Sequence, residues 1–243
     1  MLIHHHKQRG VTLVELMIAG VIALIALSAV LTVYSASARH STELLQQAHL
    51  HQQLHALMHL IGRDLKRAGY WHFDPALRAA SDNPFQNPTN QIRIQAYAGQ
   101  SPDSCILFSY DLDQDGLVGT GACDATDCAD ETDDDNVEQF GFRLHGVRVQ
   151  SRYGGSGLEC ESGYWQTVND PAMEVTLLQF TQHSSCLNLL EAGRECTPES
   201  PRLIQRALEI QLSGQLRNKP GTNTAIAQWV RIRNDQLKDG KGW

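Results

Sequence analysis

Residues 11–33 read VTLVELMIAGVIALIALSAVLTV, and this apolar run decides the architecture of the chain. It contains 23 residues and a single charged side chain, Glu15. About 20 helical residues cross a hydrocarbon core of about 30 Å, so the run is long enough to span a membrane. The basic residues Lys7 and Arg9 precede it. They predict a cytoplasmic N-terminus, with the bulk of the chain across the membrane.

Two simpler interpretations of this run are a cleaved secretory signal and a plain membrane anchor. The run is longer than the roughly 7–15 apolar residues of a secretory signal. The small residues Ala36–Ala38, which look like a cleavage site, lie beyond it. A plain anchor leaves Glu15 unexplained, because a carboxylate within an apolar helix is costly and usually marks a function.

The start of the run resembles the prepilin peptidase site of type IV pilins. A short basic leader is followed by GVTLVE, residues 10–15, in which an apolar helix carries glutamate five positions after the glycine. The resemblance implies cleavage after Gly10 and N-methylation of Val11, where the family usually has phenylalanine. It also implies that Glu15 pairs with the α-amino group of a neighbouring subunit during assembly, which would set the axial register.

The apolar run continues into a segment with helical periodicity, and no proline occurs before Pro75. Gly69 is a natural stop, so the pattern predicts one helix from about Thr12 to Ala68. The apolar positions of its second half are spaced by four and three residues: Leu54, Met58, Ile61, Leu65 and Ala68.

The end of this helix, RDLKRAGYW at residues 63–71, resembles the PilW family of minor pilins, whose nearest relatives are the J-type pseudopilins of type II secretion. The resemblance implies a structural subunit and no enzyme. Such a subunit helps prime pilus assembly in a tip complex with other minor pilins, and a tip adhesin is a further implied partner. It starts as a single-pass inner-membrane protein, is processed by prepilin peptidase and ends near the tip of the pilus.

In the remainder of the chain, apolar and polar residues alternate as they do in strands, and turn-forming residues mark the loops between them. We therefore predict an α+β, pilin-like fold, in which the long helix packs on one face of an antiparallel sheet and disulfides staple the loops. A turn at residues 218–221 joins the last two strands. The strand candidates are Gln91–Ala98, Ser104–Tyr110, Gln139–Gln150, Met173–Gln182, Leu203–Leu216 and Ala227–Arg233.

Four segments follow from these patterns. They are a cleaved leader at residues 1–10, the membrane or filament half of the helix at 11–38, its head-packing half at 39–71, and a periplasmic β-rich head at 72–243, with an acidic loop at 111–138.

All six cysteines follow the membrane span, where an oxidising periplasm favours disulfides. Six cysteines allow 15 pairings, and the sequence alone does not choose among them. A zinc site is a poorer interpretation, because the spacings do not suit zinc. Proximity along the chain favours Cys123–Cys128 and Cys186–Cys196, which leaves Cys105–Cys160 as the third pair.

The acidic loop begins with DLDQDG, residues 111–116, and resembles the start of a calcium-binding loop. Asp111, Asp113 and Asp115 alternate, and Leu117 would offer its carbonyl group. The twelfth position is Ala122 instead of glutamate, so the remaining ligand must come from elsewhere. The candidates for it are Asp124, Asp127 and the aspartates at 133–135. A solvated acidic loop without an ion is the alternative.

Charge and motif content exclude several other functions. The formal net charge of −7 argues against nucleic acid as a partner. Eleven acidic residues and no basic ones lie between Asp111 and Glu138, so the acidity is local. The helix carries His51/His55 and His55/His59 pairs, which have a metal-binding spacing but lack an evident third ligand. A pseudopilin of type II secretion and, more remotely, a membrane-anchored periplasmic enzyme or binding protein remain alternatives.

Overall fold

The computed structural model describes residues 10–72, 79–119, 137–155, 157–191 and 193–240. Its first element is one long helix, α1 (Leu13–Leu65), which confirms the continuous N-terminal helix expected from the sequence. The chain divides into two compact units, one that ends at His49 and one that begins at Leu50. The helix therefore contributes to both units.

The first unit is the apolar half of α1. Large apolar side chains between Val11 and Val33 are 55–75% exposed, so the unit by itself does not bury them. The hydroxyls of Ser28 and Thr32 donate to main-chain carbonyls one turn earlier at 2.8 Å. These bonds satisfy the hydroxyl groups where lipid would offer no partner. Within the described residues, α1 is the one helix whose length and composition suit a membrane span.

The second half of α1 belongs to the head and carries the predicted apolar stripe. All five stripe residues named above are buried, which confirms the periodicity. Buried side chains in α1 begin at Leu50 and follow one face of the helix. The buried residues of the helix are Leu50, Leu54, Leu57, Met58, Ile61, Gly62 and Leu65.

The helix ends at Leu65, three residues before the predicted end, and the chain continues as a hydrogen-bonded turn. Gly69, the predicted stop, has a φ of +72°. Its N–H donates to the Ser109 carbonyl at 2.8 Å. A Cβ at this position would lie 2.6 Å from Nε2 of Gln86, so both the backbone angle and the space require glycine.

Three side-chain amides hold the carbonyl groups of this turn, and we call them the C-terminal clamp. Asn83 Nδ2 and Gln86 Nε2 donate to the Gly69 carbonyl at 3.0 and 3.1 Å. Asn234 Nδ2 donates to the carbonyls of Arg67 and Ala68 at 3.0 and 3.2 Å. The clamp satisfies orphan carbonyls at the helix end with groups from two distant segments.

The head contains nine described strands and two short 3₁₀ helices, Ala80–Asp82 and Pro84–Gln86. The strands are β1 (Arg93–Gln95), β2 (Cys105–Ser109), β3 (Gln139–His145), β4 (Arg148–Arg152), β5 (Trp165–Thr167), β6 (Met173–Asn188), β7 (Arg202–Leu216), β8 (Lys219–Arg231) and β9 (Gln236–Lys238).

The strands form two antiparallel sheets. The first sheet has the order β1-β2-β3-β4-β5, and Phe108 of β2 lies opposite Phe140 of β3. The second has the order β6-β7-β8, and β9 pairs with the start of β7. One hydrophobic core contains the stripe of α1 together with residues of both sheets, such as Phe108 and Phe180. The antiparallel α+β architecture predicted from the sequence is confirmed.

The prediction of a single sheet is wrong, and so are several strand bounds. The segment predicted as one strand over 139–150 is the β3–β4 hairpin, which turns at Gly146 with a φ of +62°. The short strands β5 and β9 were not expected. The last hairpin turns at residues 217–218, so β8 starts at Lys219 instead of Ala227. The short strands β5 and β9 depend on pairing partners distant in sequence, which local patterns do not reveal.

Two disulfides are present among the described residues, Cys105–Cys160 and Cys186–Cys196. They are two of the three pairs named in the sequence analysis. The third, Cys123–Cys128, lies outside the described residues. Cys105 and Cys160 are buried and pack with Leu107 and Leu158 in a small cluster of their own.

We expect the Cys105–Cys160 disulfide to contribute more to stability than the Cys186–Cys196 disulfide. The first closes a separation of 55 residues and the second one of 10. Loop entropy alone gives roughly 4 and roughly 2.7 kcal/mol for these lengths. Thermal unfolding of the two paired Cys→Ser variants in detergent measures the difference. A larger loss of Tm in the 186/196 variant would contradict this order.

Candidate functional site

The acidic loop brings four carboxylates together. One oxygen each of Asp111, Asp113, Asp115 and Glu138 lies within 4.8 Å of the others. Positive φ angles at Gln114 (73°) and Gly116 (78°) curl the chain between the aspartates. The three aspartates of the sequence motif are therefore neighbours in space, and Glu138 joins them from the residue before β3.

Asp111 is the buried end of the motif, with 2% of its surface exposed. Its Oδ2 accepts the His72 N–H at 2.9 Å and its Oδ1 accepts the Gln114 N–H at 2.6 Å. Asp115 Oδ1 accepts the N–H of Leu117 at 2.7 Å. The bond from His72 holds the loop to the segment that follows α1, and the other two bonds lie within the loop.

Glu138 closes the loop from the other side. Its Oε1 accepts the Leu112 N–H at 2.6 Å and its Oε2 accepts the Gly119 N–H at 3.0 Å. Burial, together with the charges of Asp113 and Asp111, raises the pKa of Glu138 to about 6 against the lowering effect of these two N–H groups. A positive charge nearby would therefore stabilise the ionised form of this carboxylate.

Glu138 is the residue that sequence reasoning did not single out as a ligand. The remaining ligand was expected from Asp124, Asp127 or the aspartates at 133–135, and these residues, like Ala122, lie outside the described part of the chain. The available signal was the position of Glu138, the last acidic residue before a predicted strand. A strand end is held by the sheet and can present a side chain at a fixed place.

The four carboxylate oxygens suit a hard divalent cation. Calcium takes roughly six to eight oxygen ligands, and carboxylates and main-chain carbonyls supply most of them in proteins. Asp111, Asp113, Asp115 and Glu138 would supply four, and the carbonyl of Leu117 remains the predicted fifth. Bound calcium would neutralise the mutual repulsion of these groups and tighten the loop.

No histidine side chain that the structure describes joins this cluster. The rings of His51 and His55 have centroids 4.4 Å apart on an exposed part of α1. His183 packs its ring on Trp229 with centroids 4.4 Å apart, and its Nε2 lies 3.6 Å from a Glu209 oxygen. Among the described residues, the acidic cluster is the one group of three or more metal-ligating side chains that converge.

The start of α1 is the second candidate site, and here Thr12 caps the helix. Its hydroxyl donates to Glu15 Oε2 at 3.0 Å and accepts the Glu15 N–H at 3.3 Å. The Thr12 N–H also donates to Glu15 Oε2 at 3.1 Å. This reciprocal arrangement is a capping box, signalled by the T-x-x-E pattern at residues 12–15. Glu15 thus helps to cap the start of the helix, a role that the sequence analysis did not assign to it.

Comparison with known proteins now adds to this geometry. A family model described as prepilin peptidase-dependent protein B matches residues 43–232. The chain belongs to this family. A second model, the prokaryotic N-terminal methylation motif, matches residues 5–31, a range that includes Gly10, Val11 and Glu15.

A protein of Haemophilus influenzae described as uncharacterized is also similar to the chain. It is 23% identical over 209 residues, which cover 74% of this chain and 79% of that protein. No solved structure matches the chain significantly.

Family membership and the methylation motif together support a pilin-like protein, either a minor pilin or a pseudopilin. They imply processing by prepilin peptidase and partners related to the pilus. The apolar helix and the motif are consistent with a single-pass anchor in the inner membrane.

We expect millimolar calcium to raise the Tm of the head, and we expect the Asp113→Ala and Glu138→Gln variants to lose that gain. The gain should be smaller at pH 5 than at pH 7.5. Metal ligands must be deprotonated, and the pKa of Glu138 is raised to about 6. Differential scanning fluorimetry with calcium and with magnesium measures the shift.

The matched control is Glu195→Ala, which removes an exposed carboxylate outside the acidic loop. It should keep the full calcium response. If the wild-type Tm does not move at millimolar calcium, or if the Glu195→Ala variant loses the response equally, the loop is not a calcium site.

Proposed function

We propose that this chain is a minor pilin of the type IV pilus, with a PilW-like role in priming assembly. The observation that carries the proposal is the start of α1. Gly10 and Val11 precede a capped apolar helix with Glu15 in its first turn, all inside the matched methylation motif. A helix of this kind, followed by a folded head, suits a subunit that leaves the membrane and packs into a filament.

A structural role, with no enzymatic activity, is supported by the use of buried charged groups in the head. Arg152 is 1% exposed, and its guanidinium donates to the carbonyls of Gln139, Gly155 and Gly157 at 2.7–2.8 Å. Arg143 lies between the rings of Tyr97 and Trp165, with 4.2 Å from its guanidinium carbon to each centroid. Both side chains fasten loops to the first sheet.

The same proposal includes the place and partners of the subunit. The head would fold in the periplasm, where disulfides form, and would move to the pilus tip with other minor pilins. Prepilin peptidase would cut after Gly10 before assembly, and a tip adhesin is a further candidate partner. The acidic loop would bind calcium as a stabilising ion.

A J-type pseudopilin of type II secretion is the second candidate. Family membership supports this role as well, because both kinds of protein carry the same motif at the start of the helix. The length of the head and the aspartate-rich loop favour the pilus. A membrane-anchored enzyme or binding protein is the more distant candidate, and an uncleaved Gly10 would favour it.

We expect a clean deletion to abolish surface pili and twitching while type II exoprotein release stays normal. Restoring the gene should restore both pilus phenotypes. The opposite pattern, normal pili with lost secretion, would identify a pseudopilin. Normal pili together with normal secretion would reject a filament role, and the mass of the mature N-terminus would then show whether Gly10 is cut.

The Glu15 carboxylate should matter through its charge as well as through the cap. We expect Glu15→Ala and Glu15→Gln to insert into the membrane and to assemble poorly. Glutamine keeps an oxygen for the Thr12 hydroxyl and N–H but cannot pair with a neighbouring α-amino group. Immunoblots of membrane and sheared-pilus fractions measure the two steps. Normal incorporation of Glu15→Gln into pili would show that this side chain acts as a helix cap and that its charge is not needed for assembly.

A further inference from the structure

β8 forms one edge of the second sheet. One side of the strand pairs with β7 from residue 219 to residue 231. On its other side, no strand among the described residues pairs with it. The opposite edge strand, β6, is different. The N–H groups of Val175 and Phe180 donate at 3.0 Å to the carbonyls of Val147 and Asp103, which lie beside the first sheet.

The free edge of β8 lacks the protection that edge strands of soluble proteins usually carry. Charged side chains, bulges and prolines normally prevent an edge from pairing with another chain. Residues 220–230 contain no charged side chain. Pro220 and the register irregularity beside Leu216 both lie near the start of the strand. The run from Thr222 to Val230 is therefore open to pairing.

The hydrophobic core extends to β8, and apolar side chains at this edge remain partly exposed. Leu212 of β7 is fully buried, whereas its partner Ile226 on β8 is only partly buried. Leu60 of α1 is likewise a partly buried residue at the margin of the core. Another strand beside β8 would cover apolar surface that the described head leaves open.

The outer face of β8 has a shape suited to cross-strand packing. Asn223, Ala225 and Ala227 are small and exposed, and they leave space for larger side chains opposite them. Trp229 follows them and is 59% exposed, although the ring of His183 supports it on one side. Tryptophan is enriched among the residues that dominate binding energy at interfaces.

We infer that the free edge of β8 is a docking surface for an extended, uncharged segment of another pilin-like subunit, which adds a strand to the second sheet. The inference rests on the proposed role as an assembling subunit. Main-chain hydrogen bonds would supply the affinity, and the side chains on alternate positions the specificity. The absence of charge between residues 220 and 230 selects a partner strand without charges, with bulky apolar side chains opposite Ala225 and Ala227.

The test uses the full-length protein in its own cells and compares two lysine variants. Ala227→Lys places a charge on the free edge of β8, and Thr181→Lys places one on an exposed position of the other edge strand, β6. We expect both purified variants to keep a Tm close to that of the wild type. We expect Ala227→Lys, and not Thr181→Lys, to lose pili and twitching.

A photo-crosslinking amino acid at position 227, with one at position 181 as the control, identifies the occupant. Mass spectrometry of the crosslinked peptide should show an uncharged extended segment of a different protein with a prepilin motif. A crosslink to a second copy of this chain, or to another segment of the same molecule, would overturn the inference. Loss of function in Thr181→Lys alone would overturn it too, because the surface would then lie on β6.

The deletion strain separates this inference from the proposed function. If the deletion leaves pili and secretion intact, the proposed function fails. If the deletion abolishes pili while Ala227→Lys supports them fully, the subunit role holds and the β8 docking surface is rejected.

Discussion

Burial of one helical stripe is the constraint on which the head depends. From Leu50 to Leu65, α1 contributes six buried apolar side chains to a core that also includes residues of both sheets. Each sheet has an apolar face that needs a cover, and the helix supplies an apolar surface for this core. Full burial of one leucine side chain is worth roughly 1.5–3 kcal/mol. Loss of any central member of the stripe would weaken the whole head.

The sequence predicts what local spacing determines and misses what distant pairing determines. The stripe of α1, the stop at Gly69 and the cores of most strands follow from periodicity and from glycine chemistry. The division into two sheets does not, because it depends on strand pairing between residues far apart in the chain, such as Phe108 and Phe140. Glu138 was missed for the same reason, since 23 residues separate it from Asp115.

Polar groups in this protein mainly hold irregular segments against regular ones. Arg152 binds three carbonyl groups, two of them in a glycine-rich loop, and Glu138 binds two main-chain N–H groups of the acidic loop. Thr12 and Glu15 do the same at the first turn of α1. Because these hydrogen bonds already satisfy the polar groups of the folded subunit, a rearrangement would gain few new ones. Assembly would therefore use surfaces that are already formed.

The C-terminal clamp has a mechanical consequence for a subunit anchored through its helix. A pulling force along α1 would load the buried stripe from Leu50 to Leu65 and, beyond it, the turn after Leu65. There, Asn83, Gln86 and Asn234 hold three successive carbonyl groups, at Arg67, Ala68 and Gly69. Tension would be divided among several bonds that must break together, because they come from two different segments. The junction would therefore resist stretching better than an uncapped helix end, whose turns can peel away one at a time.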